Sequence, residues 1–196
     1  TIPIYTMIRN ICLIGVPTSG KSSIGKQLFQ HLQKGFIDTD NLIRQAYNKE
    51  LPDIISKYGN ERFLDIEKEV ILSLNHENVV LATGGSAIYS EKSMDHIISH
   101  LRCDVYHLFI TKQEFNKRMG NPANRGVIMN DYKGLDELYN KRLRLYDDSA
   151  DYIINANRDI NLDSFKPYEY WSQKSPMIVY TNKHKYGQSS HPCPPL

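Results

Sequence analysis

Short apolar runs at residues 11–14, 79–82, 105–110 and 152–154, with a briefer one at Phe36-Ile37, alternate along the chain with stretches of helical period. The runs have the length of buried strands, and the intervening segments repeat their apolar positions at three- and four-residue steps. The clearest such segment is 60–75, where Phe63, Ile66, Glu67, Val70, Ile71 and Leu74 form one stripe, predicting a helix with an inward face. A second helix is expected from Leu135 to Tyr146. Strands alternating with helices predict an α/β fold of three layers, αβα, whose ligands sit beyond the carboxyl ends of parallel strands.

Three short motifs follow strand-like runs directly and would share that rim. The first is Gly15-Val16-Pro17-Thr18-Ser19-Gly20-Lys21-Ser22, which satisfies G-x-x-x-x-G-K-[ST] after Ile11-Cys12-Leu13-Ile14 and before the helically spaced Ile24, Leu28 and Leu32. Its glycines let successive backbone N–H groups converge on phosphate oxygens at the positive end of a helix. Lys21 would reach the β- and γ-phosphates and Ser22 a Mg²⁺ ion, so a nucleoside triphosphate and Mg²⁺ are expected. The ATP-binding set is Gly15, Pro17, Thr18, Ser19, Gly20, Lys21, Ser22 and Ser23.

The second motif, Asp38-Thr39-Asp40, places two carboxylates two positions apart, on one side if the extended backbone persists. One can assist the metal while the other takes a proton from an attacking hydroxyl; alternatively, Asp40 caps a helix that begins at Asn41. The third, Thr83-Gly84-Gly85, ends a strand in bare backbone, either offering N–H groups to a ligand or starting a helix capped by Ser86. Arg118 and Arg125 bracket a polar, turn-rich stretch, 120–134. An uninterrupted loop of that length in a compact domain usually covers a site, which predicts a mobile lid. On the helix that follows, Arg142 and Arg144 point to nearly opposite sides, so one of them faces the site.

Bulk properties narrow the classes. The 196 residues suit one domain, expected to end near 165, with 166–196 as an extension or tail carrying Tyr168, Tyr170 and Trp171 and a disordered end. A net charge of +2 gives no field for nucleic acid, and no apolar run approaches the roughly 20 residues that span a bilayer. Three scattered cysteines and the absence of a signal-like start lead us to expect a cytoplasmic protein, and a monomer acting on a small molecule. The seven histidines show no ligand spacing with cysteine or carboxylate, which makes a zinc site an unpromising reading.

In their order and spacing over about residues 10–154, these motifs, with the stretch Gly59 to Glu67 around Phe63 and Lys141-Arg142-x-x-Leu145-Tyr146, resemble shikimate kinases. The resemblance implies a P-loop kinase fold with a five-stranded parallel sheet and a lid, and transfer of the ATP γ-phosphate to the 3-hydroxyl of shikimate. It implies phosphate binding by Lys21, magnesium at Ser22 with Asp38 assisting, proton acceptance at Asp40, adenine stacking by Arg118 and lid closure with Arg125. Substrate contacts would come from Asp40, Phe63, position 64, Glu67, Gly84, Gly85 and Arg142, the last on the carboxylate. The chain departs from the family at three places. Leu64 stands where an arginine normally pairs with that carboxylate, Ser86 replaces a third glycine, and Gly126-Val127-Ile128 follows the lid arginine in place of proline and leucines. Losing one charged partner would weaken binding about ten- to a hundredfold. Arg62, on the far side of the helix, is a poor replacement, though another cation could complete the clamp. Two further readings stay open: a kinase for another hydroxy acid or polyol, and a nucleotide-binding regulatory protein without phosphotransfer.

Overall fold

The computed structural model describes residues 9–129, 132–165 and 180–181. Its centre is β1 (Asn10–Ile14), whose five residues are all buried because both faces of the sheet are covered by helices. The sheet order is β2 (Gly35–Asp38), β3 (Val79–Ala82), β1, β4 (Cys103–Phe109), β5 (Tyr152–Asn155) and β6 (Tyr180–Thr181). The first five are parallel, as the alternating pattern predicts. The addition is β6, from the stretch expected to be a tail, which pairs antiparallel with β5. The aromatic trio 168–171 and the chain end lie outside the described residues.

Six α-helices flank this sheet among the described residues: α1 (Lys21–Leu32), α2 (Thr39–Tyr47), α3 (Leu51–Leu72), α4 (Glu91–Asp95), α5 (Lys112–Met119) and α6 (Leu135–Ser149). None is long and apolar enough to cross a membrane. Helix α2 starts two residues earlier than an Asp40 cap would place it, because the cap is Asp38, whose carboxylate accepts the Asn41 N–H at 3.1 Å. The predicted helix at 60–75 is the second limb of α3. Gly59, at φ 83° and ψ 167°, breaks it from a first limb opened by Pro52, and both limbs contribute to the smaller core.

Those cores are distinct. The larger lies against both faces of the sheet, and the smaller joins Ile43 of α2, Leu51, Ile54, Phe63 and Ile66 of α3 and Ile128 of the lid. This corrects the reading of 120–134 as too polar for core: Ile128 is 2% exposed, and residues 122–125 wind into a 3₁₀ turn. The buried Ile128 anchors this segment to the smaller core, and residues 124–128 line the wall of the cavity described below.

Candidate active site

The loops after β1 and β3 and the start of α2 open onto a cavity of about 730 Å³, within the range of small-ligand sites. At one end is the phosphate loop. Gly15 has φ 147°, and a Cβ there would lie 2.8 Å from the Leu108 carbonyl oxygen and 2.9 Å from Ser19 Oγ, so the loop can close on itself only with glycine. Thr18 Oγ1 and Ser19 Oγ are buried without partners, as expected of a cradle shaped for an absent anion. Pro17, Thr18, Gly20, Lys21, Ser22 and Ser23 line the cavity, whereas Gly15 and Ser19 shape the loop from behind.

Lys21 Nζ donates to the carbonyls of Gly15 and Val16 at 2.9 and 3.0 Å, closing the loop over its own future ligand position. Burial lowers its pKa to about 8, opposed first by the Asp40 charge. Near enough for their charges to act on Lys21, Asp40 and Glu67 meet at Gly84. A Cβ on Gly84 would collide with Glu67 Oε1 and lie 2.7 Å from Asp40 Oδ1. The Gly84 N–H is already given to Thr39 Oγ1 at 2.9 Å. Gly84 therefore serves close packing rather than presenting an N–H to a ligand, and Gly85 is the residue of the pair that lines the cavity.

Glu67 is 1% exposed, receives a hydrogen bond from Ser86 and leaves Oε1 without a partner. Burial, then the Asp40 charge, raises its pKa to about 7. Burial, followed by the neighbouring Asp38, also pushes Asp40 above the ordinary carboxylate range. The Glu67 shift has a stability consequence. The folded protein holds a proton on Glu67 between pH 4.5 and about 7 that the unfolded chain releases, so stability falls as pH rises through that window. Glu67→Gln should then be more stable than wild type at pH 8 by at most about 3 kcal/mol, the gap closing towards pH 4.5. Urea unfolding across that range checks this; a gap that widens as pH falls would contradict it.

Arg142, on α6, is 1% exposed, while Arg144 faces solvent. Arg142 Nε donates to the Tyr89 hydroxyl at 2.8 Å and Nη2 to the Ile128 carbonyl at 2.9 Å, tying the cation to the lid. Tyr89 is in turn 2.7 Å from the hydroxyl of Tyr132. Arg118 lies against the phosphate loop, its Nε on Glu114 at 2.6 Å and Nη2 on the Ala156 carbonyl at 3.2 Å. Arg125 lines the cavity but gives its Nε and Nη2 to the carbonyls of Met119 and Arg118, at the end of α5.

Besides Gly15, Ser19 and Gly84, two more predicted site residues do not line the main cavity. Asp38 does not line the cavity, since its carboxylate is turned into the α2 cap, and the two aspartates do not share one extended face because the helix begins between them. Leu64 points into a neighbouring cavity of about 210 Å³ that shares Glu67 and Ser86 with the first, whereas Phe63 does line the main cavity. Arg62 is occupied on the surface by Glu69 at 2.7 Å. Sequence reasoning missed Arg44, Glu50, Leu51 and Pro52, which also line the cavity. For Arg44 a signal existed, because it stands four residues after Asp40 on the same helical face.

Known proteins resemble this chain in sequence and in fold. The family model described as shikimate kinase matches residues 17–168. A shikimate kinase of Clostridium botulinum (strain 657 / Type Ba4) is 34% identical over 170 residues, covering 84% of this chain and 98% of that protein. One from Thermodesulfovibrio yellowstonii is 34% identical over 157 residues, 76% of this chain and 86% of its own. Among solved structures, shikimate kinase from Acinetobacter baumannii in complex with shikimate superposes with a TM-score of 0.70 at 29% identity, over 79% of this chain and 86% of that one. The Aquifex aeolicus enzyme gives 0.66 at 29% identity, over 76% and 88%. With a phosphate loop, a buried acid pair and a lid-tethered arginine around one cavity, and with these relatives across most of its length, the chain belongs to the shikimate kinase family.

Proposed function

We propose that this protein transfers the γ-phosphoryl group of ATP to the 3-hydroxyl of shikimate, giving shikimate 3-phosphate and ADP. The observation that carries this reading is the meeting of Asp40, Glu67 and Arg142 with Lys21 in one cavity. A phosphate-binding cation and a proton acceptor thereby face the same space. Asp40, made more basic by burial, takes the proton of the acceptor hydroxyl as its oxygen bonds to the γ-phosphorus and the bond to the β–γ bridging oxygen breaks. Lys21 leaves the Gly15 and Val16 carbonyls for the phosphate oxygens, and Arg125, released from the α5 carbonyls, adds positive charge from the lid. Arg118 flanks the nucleotide end, and Arg142 meets the shikimate carboxylate beside Gly85.

The exposed Ser22 hydroxyl lines the cavity next to Lys21, which fits a hard cation on the phosphates, with the Asp38 charge behind it. Mg²⁺ held there supplies neutralisation of the phosphate charge. We take the protein to act as a monomer, and the buried free thiols Cys12 and Cys103 suit a reducing cytoplasm. We take the catalytic unit to end near residue 165, with 166–196 as an extension.

A coupled ADP-release assay over shikimate, quinate, gluconate and homoserine tests the reading. Shikimate should raise turnover well above the background ATPase rate. Stimulation by another acceptor alone would reassign the substrate, and tight ATP binding with no acceptor-dependent turnover would make the protein a nucleotide binder.

A further inference from the structure

An anionic acceptor entering this cavity meets Asp40 and Glu67 at once and so needs more positive charge than one arginine supplies. Lys21 lies beside Asp40 but belongs to the phosphate loop, and Arg118 and Arg125 approach that loop and α5, leaving Arg142 and Arg44 as the other lining cations. Arg142 is largely spent on the protein, with Nε on Tyr89 and Nη2 on Ile128, and its Nη1 approaches Gly85. Position 64 contributes no charge, and its leucine lines the other cavity.

Arg44 differs in every respect. Its side chain is 35% exposed, Nη1 donates to Asn41 Oδ1 at 2.6 Å, and Nε lies 3.1 Å from Glu50 Oε2 on a carboxylate that is 74% exposed. Ion pairs as open as this hold weakly, and the long arginine side chain can exchange one carboxylate for another without leaving its helix. Its charge already reaches Asp40, where it opposes the upward push of burial.

We propose that Arg44 is the second carboxylate-binding cation of the acceptor site, exchanging Glu50 for the acceptor's carboxylate and clamping it together with Arg142. Glu50 holds the side chain in reserve while the site is empty. The proposal rests on a hydroxy acid being the acceptor, as argued above.

The test is equilibrium binding of shikimate, and of the analogue with its carboxylate reduced to a primary alcohol, to wild type, Arg44→Leu, Arg44→Lys and Glu50→Gln in the presence of ADP and Mg²⁺. Turnover is measured in parallel. Arg44→Leu should weaken shikimate about ten- to a hundredfold and the alcohol less than threefold, with Arg44→Lys intermediate. Glu50→Gln, which frees Arg44, should tighten shikimate two- to fivefold and leave the alcohol unaffected. Equal losses for acid and alcohol in Arg44→Leu would make Arg44 a structural tether and overturn the proposal. So would shikimate affinity in that variant within twofold of wild type, whatever the turnover. If wild type binds shikimate through Arg44 but does not phosphorylate it, the kinase reading fails and the proposal stands. If wild type does not bind shikimate, both fail.

Discussion

Lys21→Ala is expected to lower kcat/KM for ATP about a thousandfold while leaving the protein at least as stable as wild type at pH 7. The kinetic loss follows from removing a preorganised cation from the transferring phosphoryl group, where a single donor is worth about 10²–10³ in rate and a full charge lies at the upper end. The stability expectation follows from the depressed pKa. Folded Lys21 titrates near 8 and the unfolded residue near 10.5, so its charged form is disfavoured by burial below about pH 8. That penalty is relieved as pH rises from 8 to 10.5, because over this range the unfolded chain binds the extra proton. Alanine removes the penalty at every pH below that window. The same titration predicts that wild-type affinity for a non-hydrolysable ATP analogue falls as pH rises above about 8, and that the slope is lost in Lys21→Ala. Calorimetric titration between pH 7 and 9.5 and steady-state kinetics are the measurements; an unfolded variant, or an unchanged slope, would remove Lys21 from the phosphate site.

Asp40→Asn should reduce kcat by about 10²–10⁴ with little change in the KM for ATP, the range typical of a lost general base. Asparagine keeps the volume between Lys21 and Gly84 and removes the proton acceptor. It also removes the charge that most opposes the fall in the Lys21 pKa, so the onset of weaker ATP binding should move to lower pH. Asp38 raises the Lys21 pKa as well, by less than Asp40, so the two acidic residues are separated by their hydrogen bonds. Asp38 caps α2 through the Asn41 N–H, so Asp38→Asn, which retains a cap acceptor, should cost far less in kcat. Comparable losses at both positions would mean that the proton leaves by another route.

The phosphate loop was legible because everything that makes it lies within a dozen consecutive residues: an apolar strand, glycines at fixed spacing, a lysine and the first turn of a helix. The acid pair was half legible. Asp40 comes two residues after a strand ends, but which aspartate caps α2 depends on where the backbone leaves β2, a matter of two residues. The helix containing Phe63 and Glu67 could be read from its stripe, yet its first limb could not. Pro52 and Gly59 look like interruptions until Leu51 and Ile54 are seen packed on Ile43 and Ile128. The lid misled most, because one buried isoleucine in a polar stretch has no periodicity to reveal it.

By itself, the sequence determined a parallel α/β sheet, a phosphate loop at the end of β1, and the places of Asp40 and Gly85 just beyond the ends of β2 and β3. Local chain geometry suffices for these, since each motif follows its strand within a few residues. The tertiary structure decided the acceptor half. How α2 and α3 rotate about their axes is set by the small core of Ile43, Ile54, Phe63, Ile66 and Ile128. That packing turns Leu64 towards the side cavity, places Arg44 on the wall of the main one and brings Arg142 under the lid. Helical periodicity gives the angle between two residues on one helix, whereas the direction of the whole face is fixed only by what it packs against.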